Sequence, residues 1–274
     1  MNSSEIAHLA ESIELLQNEA FWAVRPDSLG GKKGQQLFQV GGAMVTVAPG
    51  SVSLQRNRVL GLGVEERASE QMVDQVLDIY RAFNVKRFSF HRSPCRQYGQ
   101  IGGWLEKRGF RPHHAYSKLI REATTAPRVQ TEFQVVRIGG KDAGAFVAVF
   151  RRVFPMPPKY LDWVGAAVGA PGFSHYLAFV GDRPVATGVV YVKGNAAWMG
   201  WAGTLTDFRR RGAQSALIAT RIERAAELGA KWIFCATMEP VRGRPAGSYR
   251  NLLKCGFSEA YLRPIWVWES GRRR

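Results

Sequence analysis

Three arginines and a glycine, Arg209-Arg210-Arg211-Gly212, stand directly ahead of a helical pattern in the stretch TLTDFRRRGAQSALIATRIERAAELGA, Thr204 to Ala230. Beyond Gly212, Ile218, Ile222 and Ala225 recur at helical spacing with Ala219 and Ala226 beside them, and Thr220, Glu223, Arg224 and Glu227 fall opposite. The first N–H groups of a helix have no internal partners, and the helix dipole makes that end positive. Three guanidinium groups added there repel one another unless an anion binds. A pyrophosphate answers both features, because it accepts backbone N–H bonds, pairs with guanidinium groups and can approach closely over Gly212. The alternative is a solvated basic loop before an ordinary helix.

The elements that must position this loop follow from pattern. FQVVRI is expected as a strand, KDAGAFVAVFRRVF and PPKYLDWVGAAVG as helices, and HYLAFVGDRPVATGVVYVKGNAAWMGWAG as three successive strands broken at GDRP and KGN. KWIFCATM reads as a strand and SYRNLLKCG as a short helix, with Ser248 as N-cap and Gly256 just past its end. FSEAYLRPIWVW closes the chain as a last strand. The expected fold is mixed α/β (α+β).

REATTAPRVQTE, Arg121 to Glu132, lacks periodicity and reads as a linker. The endings on its two sides are alike: FNVKRFSF and GGWLEKRGFRPHHAYSKLI precede it, and LGAKWIFC and YRNLLKCGFSEAYLRPIWVW close the chain. Lys86 matches Lys231 at an offset of 145 and Gly109 matches Gly256 at 147, which points to an internal duplication. The expected domains are 1–127 and 128–274.

The 274 residues carry a net charge of +16, of which residues 128–274 hold +12. Such a surplus favours anionic partners or serves as a solubility surface. No exposed aromatics interleave with RRRGAQSAL, which argues against a nucleic-acid module. No apolar run approaches the roughly 20 residues needed to span a bilayer. The start, MNSSEIAHLAESIELL, has no basic leader region, and Cys95, Cys235 and Cys255 form no C-x-x-C pair. These features point to a cytoplasmic protein, monomer or homodimer. The five histidines make no metal-ligand spacing, so no metal is expected.

The Arg209–Ser215 segment resembles the acetyl-CoA signature of the GNAT superfamily of N-acyltransferases, [QR]-x-x-G-x-[GA] between a strand and a helix. Arg209 and Gly212 fit, and Gln214 stands where Gly or Ala is usual. LLKCGF resembles the family's late Y-x-x-x-G-F ending, with Leu252 in the tyrosine's place. The resemblance implies two tandem GNAT-like domains, each a mostly antiparallel sheet with flanking helices. Only the second is expected to bind cofactor, because the matching loop of the first, GVEERASEQMV, presents Glu65 and Glu66, has no glycine before the helix, and suits a helix start capped at Ser69.

The resemblance further implies acetyl-CoA as co-substrate. The backbone of Ala202, Gly203 and Thr204 would pair with the pantetheine arm. Arg209, Arg210, Arg211, Gly212, Ala213, Gln214 and Ser215 would hold the pyrophosphate, and Asn251 could reach the thioester. The implied reaction moves an acetyl group directly to a primary amine of a small acceptor. Glu239, just past KWIFCATM, is the candidate base or a simple turn carboxylate. Tyr249 is the candidate acid, one turn away from the family position, or a packing tyrosine. Trp198 and Trp201 either fill the core or line the acceptor pocket. Arg242 and Arg244 would favour an acidic acceptor or reach the cofactor's 3′-phosphate. The alternative function is a non-catalytic acyl-CoA-binding or basic nucleic-acid-associated GNAT-like protein.

Overall fold

The computed structural model describes residues 1–31, 34–243 and 246–271. In chain order these form α1 (Ser3–Ala23), β1 (Gln36–Val40), β2 (Ala43–Val47), β3 (Arg58–Leu60), α2 (Glu70–Ala82), β4 (Arg87–His91), α3 (Tyr98–Lys107) and β5 (Arg111–Glu122). After the segment expected as a linker come β6 (Gln134–Ile138), α4 (Ala143–Val153), α5 (Pro158–Ala166), β7 (Phe173–Val180), β8 (Arg183–Lys193), β9 (Ala196–Thr204), α6 (Ala213–Glu227), β10 (Trp232–Met238), α7 (Gly247–Lys254) and β11 (Ser258–Glu269). The fold is mixed α/β with mostly antiparallel pairing, as expected.

The chain forms two compact units, and a single cut at 127/128 does not describe them. Unit 1 comprises Met1–Leu15, Asp27–Lys118 and Ala260–Arg274; unit 2 comprises Leu16–Pro26 and Leu119–Glu259. The reason lies in strand pairing. β11 runs antiparallel to β4 from Ile265↔His91 to Glu269↔Arg87, so the last strand of the chain completes unit 1. Conversely, Phe21 near the end of α1 stacks on Trp163 at 4.3 Å and accepts a 2.7 Å hydrogen bond from its indole, both within unit 2.

In unit 1 the strand order is β1-β2-β3-β4-β11, with β3 and β4 parallel and the other pairs antiparallel. α2 buries Val73, Val76, Leu77 and Tyr80, a helical stripe, against this sheet. Tyr80 stacks on Phe88 at 3.7 Å and satisfies its hydroxyl on the Thr46 carbonyl at 2.9 Å. Behind this apolar layer lies a buried ionic network. Lys118 pairs with Glu11 at 3.1 Å and Glu14 at 2.6 Å, and Arg263 pairs with Glu11 at 2.9 Å and with Glu14. Ser93 and Tyr261 donate to Glu11, each at 2.5 Å. Burial alone would raise the Glu14 carboxyl, but Arg263 and Lys118 outweigh it and hold it well below the ordinary range.

In unit 2 the order is β10-β9-β8-β7-β6. The expected three-strand meander is present, with Gly181 and Gly194 turning its two hairpins at φ +54° and +57°. α6 lies along β8 and β9 and buries Leu217, Ile218, Ile222 and Ala225, although Ala226, expected beside that stripe, faces solvent. The expected cap at Ser248 is not formed. Ala246 holds the N-cap position of α7, and Ser248 lies in its first turn, because the chain enters helical geometry at Gly247.

Candidate cofactor site

The site is built where two parallel strands part. β10 pairs with β9 over four residues, from Trp232↔Ala196 to Cys235↔Met199, while β9 runs on to Thr204 and β10 to Met238. On its other edge β9 pairs with β8 as Val189↔Gly200 and then Thr187↔Gly203, so Gly188 alone faces Trp201 and Ala202. This is a β-bulge, which bends the strand and raises its local twist. Trp201 adopts φ +50°, a left-handed conformation that a bulky residue holds only where its surroundings enforce it.

Two features enforce it. The Thr187 hydroxyl donates to the Trp201 carbonyl at 2.9 Å. From α6, the buried Arg221 donates to the Val189 and Gly200 carbonyls at 3.3 and 3.4 Å and to Leu217 of its own helix at 2.9 Å. Burial lowers the Arg221 pKa to about 10. A side chain at Gly188 would place its Cβ 3.0 Å from the Arg221 Nε, so glycine makes room for the guanidinium. Arg221 escaped the sequence reading, although the spacing 217-221-225 already placed it on the buried face.

Past Thr204 the chain makes a short 3-10 turn at Thr206–Phe208 and enters the basic loop. Arg210 has φ +62° and Gly212, the N-cap of α6, has φ +94°. No side chain caps α6, so its first N–H groups stay open. A Cβ at Gly212 would lie 3.3 Å from Thr131 Oγ1 in a conformation L-residues rarely adopt. Open N–H groups, a glycine at the point of approach and exposed arginines fit a pyrophosphate.

The arginines are not equivalent. Arg209 donates to the Thr204 carbonyl at 3.1 Å. Arg211 is held by Glu132 in a two-pronged pair at 2.8 and 2.7 Å and lies near the Phe208 ring. Arg210 is exposed and has no ion pair among the described residues. Gln214 donates to the Thr204 hydroxyl at 3.0 Å, so its side chain braces the end of β9. Gly203 is closely packed: a Cβ there would come within 2.2 Å of Val153. Ala202, Ala213 and Ser215 fall on the same strand end and first helical turn.

Glu239 is half-buried immediately past β10, beside the parting strands. Asn251 is half-buried on α7. Partial burial and the neighbouring Glu259 carboxylate raise the Tyr249 pKa, so the phenol stays protonated. Trp201 lies in an aromatic cluster with Phe21 at 4.8 Å, Phe150 at 6.0 Å and Phe173 at 6.2 Å, while Trp198 is buried. His175 sits in the same cluster, 5.1 Å from Phe146, and burial depresses its pKa to about 4. Arg242 is exposed, and Arg244 and the closing arginines of GRRR lie outside the described residues. Among the described residues no group of three His, Cys, Asp or Glu side chains could hold a metal.

No protein-family model matches the chain, and no curated protein matches it in sequence. Solved structures do. A GCN5-related N-acetyltransferase from Kribbella flavida is similar over 96% of both chains, with TM-score 0.65 and 13% identity. A tandem GNAT protein from the clavulanic acid biosynthesis pathway is similar over 99% of this chain and 95% of its own, with TM-score 0.64 and 12% identity. A GCN5-related N-acetyltransferase from Sphaerobacter thermophilus is similar over 96% and 91%, with TM-score 0.61 and 14% identity. The chain therefore has the GNAT fold.

Proposed function

We propose that the protein is an acetyl-CoA-dependent N-acetyltransferase that moves an acetyl group directly to a primary amine of a small acceptor. The observation that carries this reading is the notch in unit 2: parallel strands that part beyond Met199 and Cys235, a bulge at Trp201, and a positive-φ arginine-glycine loop leading into an uncapped helix. The α6 N-terminus with Arg209, Arg210 and Gly212 would hold the pyrophosphate, and the end of β9 would line the pantetheine. Arg211 would contribute after exchanging Glu132 for a phosphate.

An ammonium must lose a proton before it attacks. Glu239 is the proposed acceptor of that proton, directly or through water. The amine nitrogen then bonds to the acyl carbon as the carbon–sulfur bond breaks, and the departing sulfur takes a proton, with Tyr249 the proposed donor. The reading keeps the protein in the cytoplasm, with its three cysteines as free thiols, and leaves nucleic acid and membrane without a role.

Thermal unfolding with acetyl-CoA tests the binding half, since a ligand that binds only the native state raises Tm. Thiol release across a panel of amines and amino acids tests the transfer half. No shift with acetyl-CoA would overturn the proposal. A shift without thiol release for any amine would reduce the protein to an acyl-CoA binder.

A further inference from the structure

Unit 1 contains a cleft of its own, and nothing above gives it a ligand. It opens past the C-terminal ends of the parallel strands β3 and β4 and has a volume of about 780 Å³, within the size range of small-molecule sites. Three segments line it: Ser4, Glu5 and His8 of α1, the loop Gly63 to Arg67 ahead of α2, and Pro94 to Gln97 with Gln100 around the start of α3. Gly63 keeps the cleft's inner wall thin. It has φ +83°, and a Cβ there would meet the Cys95 sulfur at 2.8 Å.

The polar groups lining this cleft are unevenly committed. Glu65 accepts from Ser12, and Glu5 accepts from the Asn2 backbone. Glu66, Arg67 and Arg96 are exposed and have no ion pair among the described residues. Gln97 is the informative residue. The residue is only 9% exposed and lines the cleft, and its side-chain amide has no hydrogen-bond partner among the described residues. The amide atoms themselves are not sealed in the interior, so they meet the cleft and can pair with a ligand there. An amide both donates and accepts, so it suits a ligand that carries both kinds of group.

Charge narrows the class. A phosphate or pyrophosphate would face Glu5, Glu65 and Glu66. A polyamine would face Arg67 and Arg96. A compound with one ammonium and one carboxylate finds a partner for each. We propose that this cleft binds a small zwitterion with the chemistry of a free amino acid, its ammonium toward Glu66, its carboxylate toward Arg67 and Arg96, and its remaining polar group on Gln97. The site stands whether or not unit 2 transfers acyl groups.

The test is thermal unfolding of the full chain against the common L-amino acids at about 10 mM, a concentration that reveals even millimolar binding through the native-state shift. The amide and the N-acetyl form of each responding amino acid serve as probes with one charge removed. The expected result is a rise in Tm with at least one amino acid, lost with both modified forms. Glu66→Gln and Arg96→Gln, both exposed positions where the fold is untouched, should each weaken that response about tenfold or more. No response to any amino acid would overturn the proposal, as would a response that survives either variant. Coenzyme A is the counter-probe: a shift with it that these two variants alter would assign the cleft to a pyrophosphate instead.

Discussion

The two units carry the same device in opposite chemistry. Each sets two parallel strands side by side, follows each with a loop and a helix, and opens past the strand ends. In unit 2 the loop ahead of the helix presents Arg209, Arg210 and Arg211 and ends on Gly212 at φ +94°. In unit 1 it presents Glu65 and Glu66, and its glycines, Gly61 and Gly63, stand earlier, at φ +82° and +83°. Ser69 replaces the left-handed glycine with extended backbone at φ −128°, and the cap its hydroxyl was expected to make is not formed. The interiors differ as well. Unit 1 buries two carboxylates with two cations, whereas unit 2 buries Arg221 against carbonyls and His175 against rings. The two units therefore share the opening past paired parallel strands and differ in the side chains set around it.

The strongest way to break this comparison is inside unit 1. Glu14→Ala leaves Lys118 and Arg263 sharing one carboxylate in a buried setting, and removing one partner of a buried pair costs about 3–5 kcal/mol. Denaturant unfolding measures it. A loss below about 1 kcal/mol, the level of an exposed pair, would mean that the network is solvated. Acid should act the same way on the native protein. Because the folded Glu14 carboxyl is held well below its unfolded value, its contribution is complete above about pH 4.3 and is lost as pH falls toward the folded value.

Unit 2 carries an acid response of its own at a histidine. His175 is neutral when folded down to about pH 4, while the unfolded chain protonates it near pH 6.5. Across that window the unfolded state binds the extra proton, so stability falls as pH falls, by about 3 kcal/mol in total. His175→Phe keeps a ring beside Phe146 and removes the titration. Stability followed from pH 7 to pH 4 should then decline by about that much less than in the native chain. An identical decline in both would assign the acid sensitivity to other groups, of which the buried His91 of unit 1, also depressed, is the first.

Much of this fold could be read from the sequence, and the reasons for the rest are local. The meander, the helix after the arginines and the final helix–strand pair announce themselves through period and turn residues. The bulge does not, because its left-handed residue is Trp201 and no composition rule selects tryptophan there. Arg221 was legible in its spacing, yet an arginine on a buried stripe breaks the apolar pattern that such a stripe is read by. The division into units depends on which strand β11 pairs with, a long-range choice that local pattern cannot make. In the site, the loop was found because charge ahead of a helix is a local signal. The partner of Arg211 was not, because Glu132 lies 79 positions away in the chain.

The notches themselves can be set against each other. Arg209→Ala with Arg210→Ala should weaken acetyl-CoA binding about tenfold or more, since charge-assisted hydrogen bonds contribute about 1.5–3 kcal/mol each. Glu65→Ala with Glu66→Ala should leave it unchanged, because the cofactor is proposed to use unit 2 alone. Calorimetric titration of both variants, with the number of sites per chain, decides the matter. Equal effects from the two pairs, or two sites of similar affinity, would erase the distinction between the units.

The smallest expected effect concerns Glu132. Its carboxylate occupies Arg211 with two hydrogen bonds, and both side chains are about half exposed, at 42% and 46%. A pair so exposed contributes little, about 0–1 kcal/mol. If Arg211 serves the pyrophosphate, Glu132 competes for it, and binding must first break this pair. Glu132→Gln removes the competing charge while keeping a side chain of the same length. Acetyl-CoA should then bind up to about fivefold more tightly, the most that releasing such a pair can return, and the gain should shrink as salt screens both forms. Weaker binding in Glu132→Gln would give the carboxylate the opposite role, holding the guanidinium in a phosphate-ready position. Unchanged binding would take Arg211 out of the site and leave the phosphates to Arg209, Arg210 and the open end of α6.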